Sequence, residues 1–199
     1  MRVSQEFQKT HAEIVERWHK LLHGARRGNI RCQFQLGQLY ESDQLGDPDC
    51  EAARLWYHLA AKNCKKYAIL NNPEAQYILA YAEYFYGDGR NGMDEGRDWF
   101  KKSAAKGYAP AQYMLGLFFY DGNGMEYDCI RAAFWWYKAA VQGHADSQCS
   151  LAKLYYRGEG GVPKDEKEAM YWYKAAADGG NTEAQYILGA YAQDFYRGE

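Results

Sequence analysis

Residues with the reactivity to do chemistry are present in this 199-residue chain, yet few stand at the spacings that chemistry requires. His19 and His23 are four apart and would share one helix face, which is half of a zinc site. No third ligand of fitting spacing accompanies them, so a solvated face is the simpler reading. Ser103-Ala-Ala-Lys106 matches the Ser-x-x-Lys pattern of serine acyl transfer literally. Gly87-Asp88-Gly89, Gly122-Asn123-Gly124 and Gly158-Glu159-Gly160-Gly161 invite comparison with phosphate loops, and Asp121-Gly122-Asn123 with a calcium loop. Neither carries the rest of its motif: there is no Gly-Lys-Ser/Thr, no preceding strand and no glutamate closing an acidic ladder. There is also no Gly-x-Ser-x-Gly, and no Cys-His-Asn set that sequence could nominate. The expectation is a non-enzyme with no catalytic residue, cofactor or metal.

The elements that must position these residues are internal repeats. Ala111-Gln112-Tyr113-Met114-Leu115-Gly116 recurs as Ala75-Gln76-Tyr77-Ile78-Leu79-Ala80, Ser147-Gln148-Cys149-Ser150-Leu151-Ala152 and Ala184-Gln185-Tyr186-Ile187-Leu188-Gly189, with a degenerate copy at Cys32-Gln33-Phe34-Gln35-Leu36-Gly37. The glutamines are 43, 36, 36 and 37 residues apart, a period that signifies a solenoid. Twenty or twenty-one residues after the block's leucine comes Trp56, Trp99, Trp135 or Trp172, each followed by a second aromatic and then a small pair such as Ala139-Ala140. Each repeat is therefore read as two helices. The first, A, ends at a glycine turn; the second, B, carries the tryptophan and stops near Gly107, Gly143 or Gly179-Gly180. Ser103 fills the slot of Ala60, Ala139 and Ala176, so helix packing explains it better than acyl transfer.

This order of Ala-Gln, Leu-Gly, Tyr, Gly-x-Gly, Trp-Tyr-Lys-Ala-Ala and Gly resembles the SEL-one-like repeat (SLR) family of the tetratricopeptide-like superfamily, most fully at residues 111–143 and 147–180. The resemblance implies an all-α fold, a right-handed α/α superhelix of helix-turn-helix repeats. A single solenoid over 1–199 is expected, with an N-terminal capping helix at 1–28, repeats at about 29–64, 73–107, 108–143 and 144–180, and a partial repeat at 181–199. The first copy departs most. It lacks Gly-x-Gly, and eight extra residues, Lys65 to Asn72, precede the second copy, where regular stacking is expected to fail.

The unexplained signal is tyrosine, 19 residues in a chain that is 17% aromatic. On the second A helix Ala75, Leu79 and Ala82 read as core-facing, whereas Tyr77, Tyr81 and Tyr84 form another stripe. In tetratricopeptide-like arrays the equivalent stripe lines the concave groove. Carried over, the resemblance nominates Phe34, Tyr77, Tyr81, Tyr84, Tyr113, Leu117, Tyr120, Lys153, Tyr156 and Tyr186 as partner-binding residues. Tyrosine suits that task because its ring buries much area at small rotamer cost while its hydroxyl can satisfy a peptide backbone. The alternative is that these rings pack only between adjacent A helices.

Charge and composition fit a protein-binding role. The formal net charge of −2 gives no electrostatic footprint for nucleic acid, and the longest apolar run, Ala132 to Tyr137, is too short for membrane insertion. Residues 1–11 lack the pattern of a secretory signal, so a cytoplasmic location is expected, although an exported mature chain would look the same. The five cysteines are expected as buried or half-buried thiols rather than a disulfide framework. The resemblance implies an interaction scaffold or adaptor for another protein or peptide segment, in bacterial signalling, host interaction or regulation. An immunity protein or inhibitor of a cognate effector enzyme is the alternative, and a β-lactam-binding protein the remote one. Self-association through the chain ends is a further expectation. On this reading Tyr81→Ala with Tyr84→Ala weakens partner binding and spares the fold. Leu115→Ala, by contrast, costs about 2 to 5 kcal/mol in a urea denaturation experiment.

Overall fold

Each passage from one helix pair to the next is built from the same hydrogen bonds. In the computed structural model, which describes the backbone of residues 2–197 and the side chains of residues 12–191, the described residues form ten α-helices and no strand. These are α1 (Arg2–Arg26), α2 (Ile30–Glu41), α3 (Cys50–Ile69), α4 (Pro73–Tyr86), α5 (Gly89–Ala105), α6 (Ala109–Asp121), α7 (Cys129–Ala140), α8 (Ala145–Arg157), α9 (Glu166–Asp178) and α10 (Thr182–Arg197). The fold is an all-α solenoid of helix pairs, and the chain divides into two compact units, residues 1–99 and 100–199.

In the first unit α1 packs on α2, α2 on α3 and α3 on α4. Gln33 Nε2 donates to the Ala25 carbonyl at 3.0 Å, and Gln76 Nε2 to the Ala68 carbonyl at 3.1 Å. Each amide thus reaches from an A helix to a carbonyl near the end of the preceding helix, as a second donor beside the turn N–H of Gly28 or Asn71. The chain turns there through a left-handed residue, Gly28 at φ 84° or Asn71 at φ 69°. The next N–H bonds back across the turn, Asn29 to the Gly24 carbonyl and Asn72 to the Tyr67 carbonyl. The eight extra residues do not disturb this pattern. They lengthen α3 to 20 residues, against 12 in α7, or about two further turns, and Cys64 and Ala68 bury their side chains on the core side.

In the second unit α6 packs on α7, α7 on α8, α8 on α9 and α9 on α10. The amide bonds recur from Gln112 to Ala104 at 3.3 Å, Gln148 to Ala140 at 3.0 Å and Gln185 to Ala177 at 3.1 Å. The left-handed residues here are Gly107, Gly143 and Gly180. Ser103 is fully buried on α5, as the packing slot requires.

Within a repeat it is the second aromatic of each pair, not the tryptophan before it, that goes deepest. Tyr57, Phe100, Trp136 and Tyr173 are buried, whereas Trp56, Trp99 and Trp135 are half-buried. Tyr57 lies on Gly37 and Trp136 on Gly116, so closely that a methyl group at either glycine would collide with the ring. Gly143 is the opposite case, with φ 85° and open space where a Cβ would stand. Gly143→Ala should therefore cost only the conformational penalty, about 1 to 2 kcal/mol. Gly116→Ala should cost more, because the Trp136 indole must shift within a packed core. Urea denaturation of the two variants side by side checks the order.

Candidate functional site

The aromatic stripe has different fates in the two units. In the first, Phe34 of α2 is buried, with its ring 5.3 Å from Tyr57, 5.7 Å from Tyr77 and 5.3 Å from Tyr81. Tyr57 in turn lies 5.0 Å from Tyr81 and 4.9 Å from Tyr86. The rings close around one carboxylate at the end of α2. Tyr57 and Tyr81 donate to Glu41 Oε2 at 2.7 and 3.0 Å, and Tyr86 donates to Oε1 at 2.6 Å. Burial, with this carboxylate alongside, drives the Tyr57, Tyr81 and Tyr86 hydroxyls well above the ordinary tyrosine range. The three hydroxyls are thus bonded within the chain and their rings packed on one another.

Tyr84 does not belong to the stripe. It is only 7% exposed, and its side chain fills the space beside Gly96 of α5. The outward position is taken by Phe85, 47% exposed and 4.6 Å from Tyr81. One residue rotates a helical side chain by about 100°, enough to move it from groove to core. Because Tyr81 bonds Glu41 and Tyr84 is buried, Tyr81→Ala with Tyr84→Ala should lose stability rather than spare the fold.

In the second unit the stripe stays open. Tyr113, Leu117 and Tyr120 of α6 and Lys153 of α8 line one cavity of about 240 Å³. Trp136 of α7 also lines it, donating through its indole N–H to the Tyr113 carbonyl at 3.2 Å and lying 5.4 Å from the Tyr120 ring. The rim is charged in both signs. Tyr120 donates to Glu159 Oε1 at 2.8 Å and accepts from Arg157 at 3.2 Å, while Lys153 bonds Glu183 at 2.6 Å. The Tyr120 hydroxyl is raised chiefly by its bond to Glu159, and Tyr113 by burial. His144, half-buried with its ring 5.1 Å from Tyr113, accepts from the Ser147 N–H at the start of α8, and desolvation holds its imidazole below the usual value. With both hydroxyls raised and so protonated at neutral pH, the cavity offers aromatic faces, a hydroxyl held between an arginine and a glutamate, and a lysine.

The Sel1 repeat model matches residues 30–63, 73–108, 109–144 and 145–181, well over half of the chain. The chain belongs to the Sel1-repeat family. Sel1 repeats form a repeat scaffold fold, and proteins built from them generally bind other proteins. Among solved structures, a Sel1 repeat protein from Oxalobacter formigenes is 30% identical over 86% of this chain and 65% of its own, with a TM-score of 0.60. A protective antigen present in uropathogenic Escherichia coli strains, with an SLR fold, is 27% identical over 87% of this chain and 43% of its own, at a TM-score of 0.59. This chain thus spans less than two thirds of either protein. An immunity protein from Pseudomonas aeruginosa shares the fold at 16% identity and a TM-score of 0.50, covering 88% of this chain and 82% of its own. No curated protein matches the chain.

The remaining nominated residues of this Sel1-repeat chain lie apart from the cavity. Tyr156 is 44% exposed, with the Lys164 ammonium 5.8 Å above its ring, and Tyr186 is 77% exposed on α10. Trp136 and Glu159 line the cavity without having been nominated. Trp136 could have been found from the slot it shares with Tyr57 in its Trp-aromatic pair. Among the described residues no three His, Cys, Asp or Glu are grouped to hold a metal, and no helix is long and apolar enough to cross a membrane. All five cysteines are unpaired; Cys64, Cys129 and Cys149 are buried and Cys32 half-buried, but Cys50 is exposed, against expectation.

Burial lifts the Cys149 thiol to about 11 and the Cys64 thiol to about 12. A group whose pKa is raised by folding holds its proton better in the native state, so its contribution to stability is complete below its unfolded pKa and is lost as pH rises through the folded one. Stability should fall as pH passes the ordinary thiol value, about 8.5, and fall more steeply beyond the ordinary tyrosine value, about 10. Urea denaturation from pH 7 to 11 measures this. Tyrosine absorbance near 295 nm should show the Glu41 cluster ionising only as the chain unfolds.

Proposed function

We propose that this chain is an interaction module that takes a segment of a partner protein into the cavity between α6 and α8. The observation that carries this reading is the meeting of Tyr113, Leu117, Tyr120 and Lys153 around an open space with Trp136 in its wall. Aromatic walls supply contact area at small entropic cost, and a rim of both charge signs selects a polar peptide backbone or a mixed side-chain pattern over a lipid or a nucleic acid strand. The chain acts as an adaptor rather than an enzyme. The Pseudomonas immunity protein lends the fold but, at its low identity, not its role; an inhibitor would differ from an adaptor by binding one enzyme tightly and abolishing its activity.

Leu117 is half-buried at the cavity wall, so an arginine there reaches solvent while blocking the space. Captured from lysate of the source cells and then purified, the partner should bind the wild-type chain. It should bind Leu117→Arg at least about tenfold more weakly, the loss expected from blocking an interface centre, with circular dichroism unchanged. Equal affinity for the two folded proteins would remove the cavity from the interface.

A further inference from the structure

The second unit carries another opening, on the side of its B helices. A cavity of about 430 Å³ is lined by Lys101 and Ala105 of α5, Leu115 and Phe119 of α6, and Arg131 and Trp135 of α7, with Met125 and Glu126 from the intervening turn. The next repeat shows what belongs in such a place. Aligned on the small pairs Ser103-Ala104 and Ala139-Ala140, Lys101 corresponds to Tyr137, and Trp135 corresponds to Trp172. There, the Tyr137 ring stands edge-on to Trp172 with centroids 6.0 Å apart, and Trp172 is buried. Here a lysine replaces that tyrosine, and Trp135 remains half-buried beside an open slot.

The rim is mainly cationic. Arg131 lies 5.5 Å above the Phe119 ring, and the Lys138 ammonium lies 4.5 Å from Phe134 and 5.1 Å from Trp135. Lys101 and Arg131 line the slot and Lys138 stands over the Trp135 ring; Glu126 lies in the wall, and Asp128 bonds the Arg131 backbone and side chain. We infer that this slot is a second docking site, taking a partner-protein segment that inserts one aromatic side chain where Tyr137 sits in the next repeat and flanks it with carboxylates. The aromatic ring covers Trp135, as Tyr137 covers Trp172. The carboxylates meet Lys101, Arg131 and Lys138. This site is separate from the cavity between α6 and α8, and either can be tested without the other.

The probe is acetyl-Glu-Phe-Glu-amide, titrated into the full chain carrying ¹⁵N-labelled indoles, with the Trp135 resonance assigned from Trp135→Phe. A saturable shift of Trp135 is expected, at least about fivefold weaker with acetyl-Lys-Phe-Lys-amide, as reversing surface charge pairs requires, and absent with acetyl-Glu-Ala-Glu-amide. Lys101→Tyr rebuilds the arrangement of the next repeat and should abolish the response while raising the melting temperature. Lys101→Glu should weaken it without filling the slot, and Leu117→Arg should leave it unchanged. The inference is overturned by any of three results: no saturable shift of Trp135, an equal response to the lysine-flanked peptide, or a response that survives Lys101→Tyr in the folded protein. A shift confined to Trp136 would assign the peptide to the other cavity and overturn it as well.

Discussion

One amide side chain, repeated at Gln33, Gln76, Gln112, Gln148 and Gln185, ties each A helix to the carbonyl eight residues before it. Each of these carbonyls already accepts a turn N–H, from Gly28, Asn71, Gly107, Gly143 or Gly180, and the amide uses its second lone pair to pin the next helix to the turn. Gln33, Gln76, Gln112 and Gln148 are themselves buried, so each amide needs this bond. Asn63 donates to Gln33 Oε1 at 2.9 Å and Gln142 to Gln112 Oε1 at 2.8 Å, completing two of these amides. A leucine would fill the same volume without the directional bond that pins one helix to the next. The register of A helix on preceding helix follows from this bond, and the placement of every aromatic stripe follows from the register.

With the register set, whether a stripe becomes core or site depends on which side chains face it. In the first unit Phe34 and Tyr57 are both large, and Glu41 supplies an acceptor that three hydroxyls can share, so the rings collapse onto one another. In the second unit Cys149 and Lys153 stand on α8 where Tyr77 and Tyr81 stand on α4. A thiol and a lysine cannot close the space over Tyr113 and Tyr120, and the lysine ammonium is drawn outward to Glu183. The same economy opens the slot beside Trp135, where Lys101 replaces an aromatic residue.

The helix pairs, their glycine turns and the small-residue slots were legible in the sequence because each is local and recurs in register. Ser103 could be assigned to packing from its slot alone. The extra segment Lys65 to Asn72 looked like a break because it spoils the period, but it holds no helix-breaking residue before Asn71, and a longer α3 absorbs it. The candidate site was only half legible. Tyr113, Leu117, Tyr120 and Lys153 line one cavity because they share a stripe on successive A helices. Tyr84 was misplaced because a spacing of i+7 and one of i+8 both fit a helical stripe, and only packing against Gly96 decides between them. That Glu41 would draw three hydroxyls together was invisible, because Tyr57, Tyr81 and Tyr86 lie 16 to 45 residues away along the chain.

The proposed division, with the rings of the first unit as structure and those around Trp136 as a binding surface, is read out by hydrogen–deuterium exchange of the chain, alone and saturated with its captured partner. Binding should slow exchange in residues 113–121 and 150–159 and leave 34–41 and 77–86 unchanged. Protection confined to 34–41 and 77–86, or none in 113–121 and 150–159, would contradict it.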